Sequence, residues 1–351
     1  MADTSPGLPP GAAHELALRF GPERCHTEPE TLDLYATDDT PRSVTPGAVV
    51  FPGNTEEVAA VVRTAYRHGV PVVARGAGSG NVGGALPMPG ALVVAFECMD
   101  AVLETDPGNR LIRVQPGVTN QRIQDVAGEH ELFWPPDPGS ADYCQVGGNL
   151  AMNSAGPGAV KRGVTRDWVL GLEAVTGTGE VLRAGTRTTK GVVGYDLTRL
   201  LVGSEATLGL ITEATLRLTP RPQGKRTARA CFANVEDAAA AVGRIMTGPA
   251  IPSALEIMDG LAIEALRRSG FEHDLPEDTG AVLMVEADGS PEAADADFAL
   301  LGERLEGEGL LEMRTGASPK EIGELWRARK SLSRAVKTLA PLKINEDVVV
   351  P

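Results

Sequence analysis

Apolar positions follow helical spacing in one segment near the N-terminus and strand spacing in several others. Val58, Val61 and Ala65 recur after Asn54 at intervals of three to four residues, which predicts a helix that stops at Gly69. Thr119 is expected to cap a second, short helix. Apolar or alternating runs predict strands over 70–74, 92–96, 111–114, 169–175, 181–182 and 211–218. Residues 1–20, rich in Pro, Gly and Ala, are expected to lack regular structure.

A second domain is expected after Pro220-Arg221-Pro222, where the strand pattern stops. Ser318-Pro319-Lys320-Glu321 predicts a capping box that starts a helix reaching about Leu339, with Arg329 on its apolar face. The pattern also predicts helices over 236–246 and 291–305 and strands over 282–285 and 345–351.

Charge and composition narrow the functional classes. The chain has 351 residues, a formal net charge of −14 and a sequence pI near 4.9, which argues against nucleic acid or anionic lipid as a partner. No apolar stretch approaches the roughly 20 residues that span a bilayer, and the acidic first residues do not resemble a signal peptide, so we expect a cytoplasmic protein without a transmembrane segment. The cysteines are scattered and predict neither a zinc site nor an iron–sulfur cluster: Cys25, Cys98, Cys144 and Cys231.

The densest chemical signal is the glycine-rich loop that follows the strand over 70–74. Successive residues without a Cβ let backbone N–H groups turn toward one anion, which favours a diphosphate ligand. Gly78, Gly80 and Gly83 match the dinucleotide fingerprint, but Pro87 and Pro89 exclude the helix that a Rossmann site requires. The alternative is a surface turn without a ligand.

Two further segments have the composition of ligand-lining loops. Gly147 to Gly158 contains small residues and two amide side chains, which suits close approach to a flat ligand. Pro135-Pro136-Asp137-Pro138-Gly139-Ser140 forms a stiff turn on which a planar ring could rest. Each segment taken alone is more often only a loop.

Together with the block from Gly194 to Ala214, these segments resemble the flavin-linked oxidases of the vanillyl-alcohol oxidase and para-cresol methylhydroxylase (PCMH) type. Within that family the resemblance is to the glycolate oxidase large flavin subunit and the bacterial D-lactate dehydrogenases. It implies an α+β fold: an N-terminal extension and helix over 1–44, a two-subdomain FAD-binding domain of the PCMH type over 45–222, and an incomplete, ferredoxin-like α+β cap domain over 223–351. The FAD contacts that it implies are Arg75, Gly76, Ala77, Gly78, Ser79, Gly80, Asn81, Gly84, Pro136, Asp137, Ser140, Gly147, Gly148, Asn149, Asn153, Ser154, Gly209 and Ile211.

The chain departs from the family pattern at two positions. Ala206 stands where the family usually has glycine, and Pro157 interrupts a usual Gly-Gly pair. The first loop contains neither the histidine nor the cysteine that links the flavin covalently in some relatives, so we expect non-covalent FAD.

The resemblance also implies the substrate and the residues that bind it. Arg329, three residues after Trp326, and Lys343 are expected to face the carboxylate of a small D-2-hydroxy acid, which is oxidised to the 2-oxo acid. From spacing alone, Arg329 could instead extend its stem along apolar surface with its head group in water. The electron acceptor is expected to be a quinone, a cytochrome or an iron–sulfur subunit.

The family continues into a histidine-containing segment that has no counterpart in this sequence. The five histidines are isolated, so no general base and no metal site is nominated. We expect a truncated chain whose complete form is the enzyme. Two alternatives stay open: a non-catalytic FAD-binding subunit of a multi-subunit oxidase, and a plain nucleotide-diphosphate module without flavin.

Overall fold

The computed structural model describes residues 7–270, 275–340, 343–345 and 348. The chain divides into two compact units. Of the described residues, the first unit contains 7–154, Val164–Pro220 and the residues after 343, and the second contains Ala155–Gly163 and those between 221 and 343. A nine-residue excursion from the middle of the first unit therefore belongs to the second.

The first unit begins with a small sheet in which three strands are parallel. Strand β4 lies between β2 and β3, and β1 pairs antiparallel with the free edge of β2. Its elements are α1 (Pro10–Phe20), β1 (Cys25–His26), α2 (Pro29–Leu34), β2 (Ala48–Val50), α3 (Thr55–His68), β3 (Val72–Arg75) and β4 (Leu92–Ala95).

Local signals specify α3 and the strand that follows it. The Asn54 side chain accepts a hydrogen bond from Glu57 N, and Gly69 ends the helix with a left-handed φ of 64°. Strand β3 begins two residues later than expected and includes Arg75, the residue that leads into the glycine-rich loop.

The expectation that residues 1–20 lack regular structure is wrong for Pro10–Phe20, which forms α1. Ala12, Leu16 and Phe20, four residues apart, are buried in the core that α1 shares with α3 and the parallel strands. Pro10 at the first helical position is compatible with a helix because its missing N–H would have no intrahelical partner.

A five-stranded antiparallel sheet completes the first unit, in the order β5-β6-β10-β8-β9. Its strands and accompanying elements are β5 (Val102–Asp106), β6 (Leu111–Val114), α4 (Asn120–Gly128), β7 (Leu132–Phe133), α5 (Val146–Met152), a 3-10 turn (Thr165–Trp168), β8 (Val169–Val175), β9 (Val181–Gly185), α7 (Leu197–Leu201), β10 (Leu210–Arg217) and β11 (Thr219–Pro220). Helix α6 (Ala159–Arg162) lies in the excursion that joins the second unit.

Helix α5 corrects the expectation of a continuous loop over 147–158. The helix takes in Gly147 and Gly148, and a Cβ on Gly147 would lie 2.6 Å from the Pro116 Cβ. The glycine there permits close packing of the helix, which outweighs its low helix propensity.

The second unit is an antiparallel sheet with helices on both faces. Its strand order, β13-β14-β12-β15, with the sequence β12-α8-β13-α9-β14-α10-β15, is the ferredoxin-like arrangement with α9 inserted. The elements are β12 (Gly224–Phe232), α8 (Val235–Met246), β13 (Ala254–Met258), α9 (Gly260–Ser269), β14 (Ala281–Gly289), α10 (Pro291–Leu305), β15 (Leu310–Gly316) and α11 (Pro319–Ala335). One core lies between the sheet and α8 with α10, and the other between the sheet and α9 with α11.

The capping box of α11 is confirmed. Ser318 Oγ accepts from Glu321 N at 3.3 Å, and Glu321 Oε2 accepts from Ser318 N at 2.9 Å. A 3-10 turn extends the helix to Thr338, close to the expected end at Leu339. The strand expected over 345–351 falls largely outside the described residues.

Ala206 has a φ of 60°, a left-handed conformation that glycine adopts without strain. We expect Ala206→Gly to raise the free energy of unfolding by about 1 kcal/mol, because the relieved strain exceeds the added chain entropy. Thermal unfolding of the two proteins measures the effect. Ala239→Gly, at an exposed position inside α8, is the matched control and should lower stability by about 1 kcal/mol. Equal losses for both variants would contradict the assignment of strain to Ala206.

Candidate functional site

The first glycine-rich loop, residues 76–84, lies against the segment that forms α5. A Cβ placed on Gly76 would lie 3.3 Å from Gln145 Oε1 and 3.7 Å from Gly148 N. The two segments are about 70 positions apart in the sequence, and glycine keeps their backbones within direct reach of each other.

The block from Gly194 to Ala214 joins the same place. Gly203 N donates to Leu150 O and Glu205 N donates to Ala151 O, both at 2.9 Å. A Cβ on Gly84 would lie 3.3 Å from Met152 Sδ and 4.0 Å from Glu205 Oε2. The structure therefore brings together three of the four segments that the sequence singled out, and we call this convergence of 76–84, 145–154 and 203–209 the glycine cradle.

Arg75 anchors the first loop of the glycine cradle. Arg75 is 7% exposed, and its Nη1 donates to Thr37 O at 2.6 Å. Its guanidinium lies 5.2 Å from the centroid of the Tyr35 ring. Burial lowers the pKa of Arg75. The loop also bonds to the preceding segment through Asp39 N, which donates to Gly80 O at 3.1 Å.

The surroundings of Arg75 keep a positive charge beside the loop. Tyr35 Oη donates to Glu97 Oε1 at 2.8 Å. Burial, followed by the Glu97 charge, raises the pKa of Tyr35, so the phenol stays protonated. Burial also raises the pKa of Glu97. A cation at the base of a loop with bare N–H groups favours an anionic ligand.

The glycine cradle fits a flavin nucleotide. Gln145 Oε1 is buried and has no hydrogen-bond partner among the described residues, so it can accept from a ligand donor. A Cβ on Gly80 would meet nothing within 4 Å, which shows that the backbone there borders open space. An unpartnered acceptor and an uncovered backbone suit a ring with N–H groups joined to a diphosphate.

The 135–140 stretch is buried at Pro135 and Pro136 and contacts the first residue of α4. Pro136 is buried and its carbonyl accepts from Asn120 Nδ2 at 3.0 Å, while Ser140 O accepts from Cys144 N at 2.8 Å. Asp137 is exposed. Burial raises the pKa of the Cys144 thiol.

Several predicted FAD contacts have a structural role in the cradle itself. Asn153 ends α5 with a φ of 51°, and its Oδ1 accepts from Arg166 N at 2.8 Å. Ser154 O accepts from Thr165 Oγ1 at 2.7 Å. A Cβ on Gly209 would lie 2.9 Å from Val175 O, and Ile211 is buried in β10.

The two predicted substrate residues lie in the second unit. Arg329 Nε donates to Glu256 Oε2 at 2.5 Å, and the Arg329 side chain is 36% exposed. Lys343 Nζ donates to Ser333 Oγ at 3.0 Å. Their roles toward a substrate remain predictions.

Comparison with known proteins identifies the family. Residues 46–185 match the family described as FAD binding domain, and residues 221–351 match FAD linked oxidases, C-terminal domain. Glycolate oxidase subunit GlcD of Bacillus subtilis is 38% identical over 94% of this chain and 70% of its own length. The chain belongs to the FAD-linked oxidases. The PCMH-type resemblance, the α+β fold and FAD as the cofactor are thereby confirmed.

Other relatives of this FAD-linked oxidase carry related names. The Escherichia coli K12 glycolate oxidase subunit GlcD is 35% identical over 94% of this chain and 66% of its own length. The D-lactate dehydrogenase of Archaeoglobus fulgidus is 36% identical over 85% of this chain and 66% of its own. This chain spans about two thirds of the length of these relatives. A solved structure of alkyldihydroxyacetonephosphate synthase, 20% identical, has the same fold, with a TM-score of 0.76 over 96% of this chain and 65% of that one.

Sequence reasoning missed several residues of the site. Gln145 precedes the glycines of α5 and carries no motif of its own, and Tyr35 and Thr37 contact Arg75 from a segment read only as an extension. Glu256 lies 73 positions from Arg329. The one local signal for Glu256 is its position as an acidic residue among the apolar residues of β13.

We expect Gly80→Ala in this FAD-linked oxidase to leave the stability of the flavin-free protein unchanged and to weaken FAD binding about 10-fold or more, because a methyl group would fill the space that the diphosphate needs. Fluorescence titration with FAD, together with thermal unfolding, measures both quantities. Gly177→Ala, which also meets nothing within 4 Å, is the control and should bind FAD normally. Normal FAD binding by Gly80→Ala would place the diphosphate elsewhere.

Proposed function

We propose that this chain is an FAD-dependent oxidoreductase that converts a D-2-hydroxy acid of the glycolate or D-lactate type to the 2-oxo acid. The observation that carries the proposal is Arg329, a half-buried guanidinium whose outer edge is available in a unit attached to an FAD-binding domain. The names of the relatives, which include glycolate oxidase subunits, D-lactate dehydrogenases and a D-2-hydroxyglutarate dehydrogenase, support the same substrate class.

The proposed role of Arg329 follows from the geometry of its side chain. A guanidinium presents parallel N–H donors that match the two oxygens of a carboxylate. A charge-assisted pair of this kind fixes both the position and the orientation of the acid. The orientation in turn directs the hydrogen on C2, which must leave as hydride while the hydroxyl group loses its proton.

Lys343 is the second cation that we assign to the substrate. Its side chain is half-buried and reaches back to Ser333 on the last turns of α11, the helix that carries Arg329. A compact ammonium group supplies charge without fixed geometry, so we expect Lys343 to add affinity and Arg329 to add orientation.

FAD, when bound, supplies the acceptor for the hydride. The residues of the glycine cradle bind the nucleotide, and Arg75 places a positive charge beside its loop. In the same proposal, the electron acceptor is a quinone, a cytochrome or an iron–sulfur partner, and the protein acts in the cytoplasm. In the described part of the chain, no helix is long and apolar enough to cross a membrane.

We expect anaerobic addition of D-lactate, glycolate or D-2-hydroxyglutarate to bleach the flavin band of the FAD-loaded protein, at least with one of these acids. Arg329→Gln should slow or abolish the bleaching while FAD stays bound, because the acid loses its bidentate partner. Visible absorption records both the bound flavin and its reduction. Arg268→Gln, which removes an exposed guanidinium of α9, is the control and should behave as the wild type.

The other outcomes separate the alternatives. A shifted flavin spectrum without bleaching would favour the non-catalytic FAD-binding subunit. A bound flavin that none of the three acids shifts or bleaches would contradict the proposed function.

A further inference from the structure

Glu256 is a carboxylate on the apolar face of β13. Residues two positions away on a strand share a face, and Ala254 and Met258 are both buried in the core that α9 and α11 complete. The side chain of Glu256 is 21% exposed. An ionised carboxylate at such a position is costly unless it is paired and hydrogen-bonded.

Arg329 is the partner of Glu256, and it uses only one corner of its guanidinium. Nε donates to Glu256 Oε2 at 2.5 Å, whereas Nη1 and Nη2 make no hydrogen bond to any described residue. A guanidinium has five N–H donors in one plane. Once Nε is fixed, rotation of that plane is restricted and the remaining edge points in a defined direction.

A second carboxylate fixes the helix itself. Trp326 lies three residues before Arg329 and therefore on the same side of α11, and its Nε1 donates to Glu286 Oε1 at 2.7 Å. Glu286 is 4% exposed and also accepts from Thr227 Oγ1 at 2.7 Å and Lys225 Nζ at 3.0 Å. In the register of β13 with β14, Ala254 pairs with Glu286, so the two carboxylates occupy neighbouring strands on one face of the sheet.

From these contacts we infer that Glu256 is a positioning residue for substrate binding. It holds Arg329 through Nε so that Nη1 and Nη2 receive the carboxylate of the 2-hydroxy acid. The inference rests on the proposed function, because it takes Arg329 as the group that binds the acid. It adds a determinant of affinity that does not touch the substrate.

Geometry and charge act in opposite directions at Glu256. The length of its side chain brings an oxygen to Arg329 Nε and so favours substrate binding, whereas its negative charge repels the incoming carboxylate. Glu256→Gln keeps the reach and an oxygen acceptor but removes the charge. Glu256→Asp keeps the charge but shortens the side chain by one methylene, which breaks the contact at 2.5 Å. A salt bridge that only stabilises the fold would not separate these two variants in ligand binding.

The experiment is isothermal titration calorimetry of the FAD-loaded full chain with two probes, the 2-oxo acid pyruvate and the dicarboxylate oxalate. Neither probe has a hydrogen on C2, so neither can be oxidised during the titration. The proteins are the wild type, Glu256→Gln, Glu256→Asp and Arg329→Gln. Glu264→Gln, which removes the carboxylate of an exposed ion pair with Arg268 on α9, is the matched control. Thermal unfolding and the flavin spectrum of each variant report folding and FAD content.

We expect Glu256→Asp to weaken binding about 10-fold, because a misplaced donor pair loses its alignment. Glu256→Gln should bind as tightly as the wild type or up to about 3-fold tighter, because like-charge repulsion is removed. Glu264→Gln should match the wild type. Arg329→Gln should abolish measurable binding.

Two results would overturn the inference while the proposed function stands. One is wild-type affinity for the probes in Glu256→Asp. The other is a loss of affinity in Glu256→Gln as large as that in Glu256→Asp. In both cases Arg329→Gln would show no measurable binding. Failure of the FAD-loaded wild type to bind either probe would instead overturn the proposed function, and the inference with it.

Discussion

The first unit depends on one steric constraint: three segments distant in sequence approach so closely that even a methyl group on Gly76 or Gly84 would require a neighbouring side chain to shift. A Cβ on Gly76 would crowd Gln145, and one on Gly84 would contact Met152. The hydrogen bonds from Gly203 N and Glu205 N to the last turn of α5 hold this arrangement in place. Everything proposed for the flavin follows from it, because a diphosphate can reach backbone N–H groups only where no side chain covers them.

In the second unit, two carboxylates lie on the sheet face that packs against α9 and α11, where each needs a hydrogen-bond partner. Glu286 receives hydrogen bonds from Trp326, Thr227 and Lys225, and Glu256 receives one from Arg329. Both carboxylates tie α11 to the sheet at positions three residues apart on the helix. Buried polar groups satisfied in this way specify one orientation of a helix, whereas an apolar face alone would tolerate several.

Elements with strong local signals were predictable from the sequence. Helix α10 and strand β8 have the predicted bounds, because a proline at the first helical position and an apolar run interrupted only by Gly171 and Glu173 leave little ambiguity. Strand β12 escaped prediction because Lys225 and Arg229 interrupt its apolar pattern, and Arg229 is 2% exposed. Arg229 Nη2 lies 3.7 Å from Glu312 Oε1 on the neighbouring strand β15, and such an ion pair makes a buried basic residue acceptable.

The candidate site was predictable in its motifs but not in its supporting residues. The glycine loop and Arg329 carry recognisable chemistry, whereas Gln145 and Glu256 acquire meaning only from what the fold places beside them. Helix α5 shows the same limit, because Gly147 and Gly148 argue locally for a loop, whereas the helix packs closely against Pro116 at Gly147. Tertiary contact overrides local propensity at these positions.

The most direct test of the account is hydrogen exchange of the full chain with and without FAD, read segment by segment. We expect slower exchange on FAD binding in all three segments of the glycine cradle, 76–84, 145–154 and 203–209, with no change in the β12–β15 sheet. Protection confined to one of the three segments, or located mainly in the second unit, would contradict the claim that they form a single flavin site.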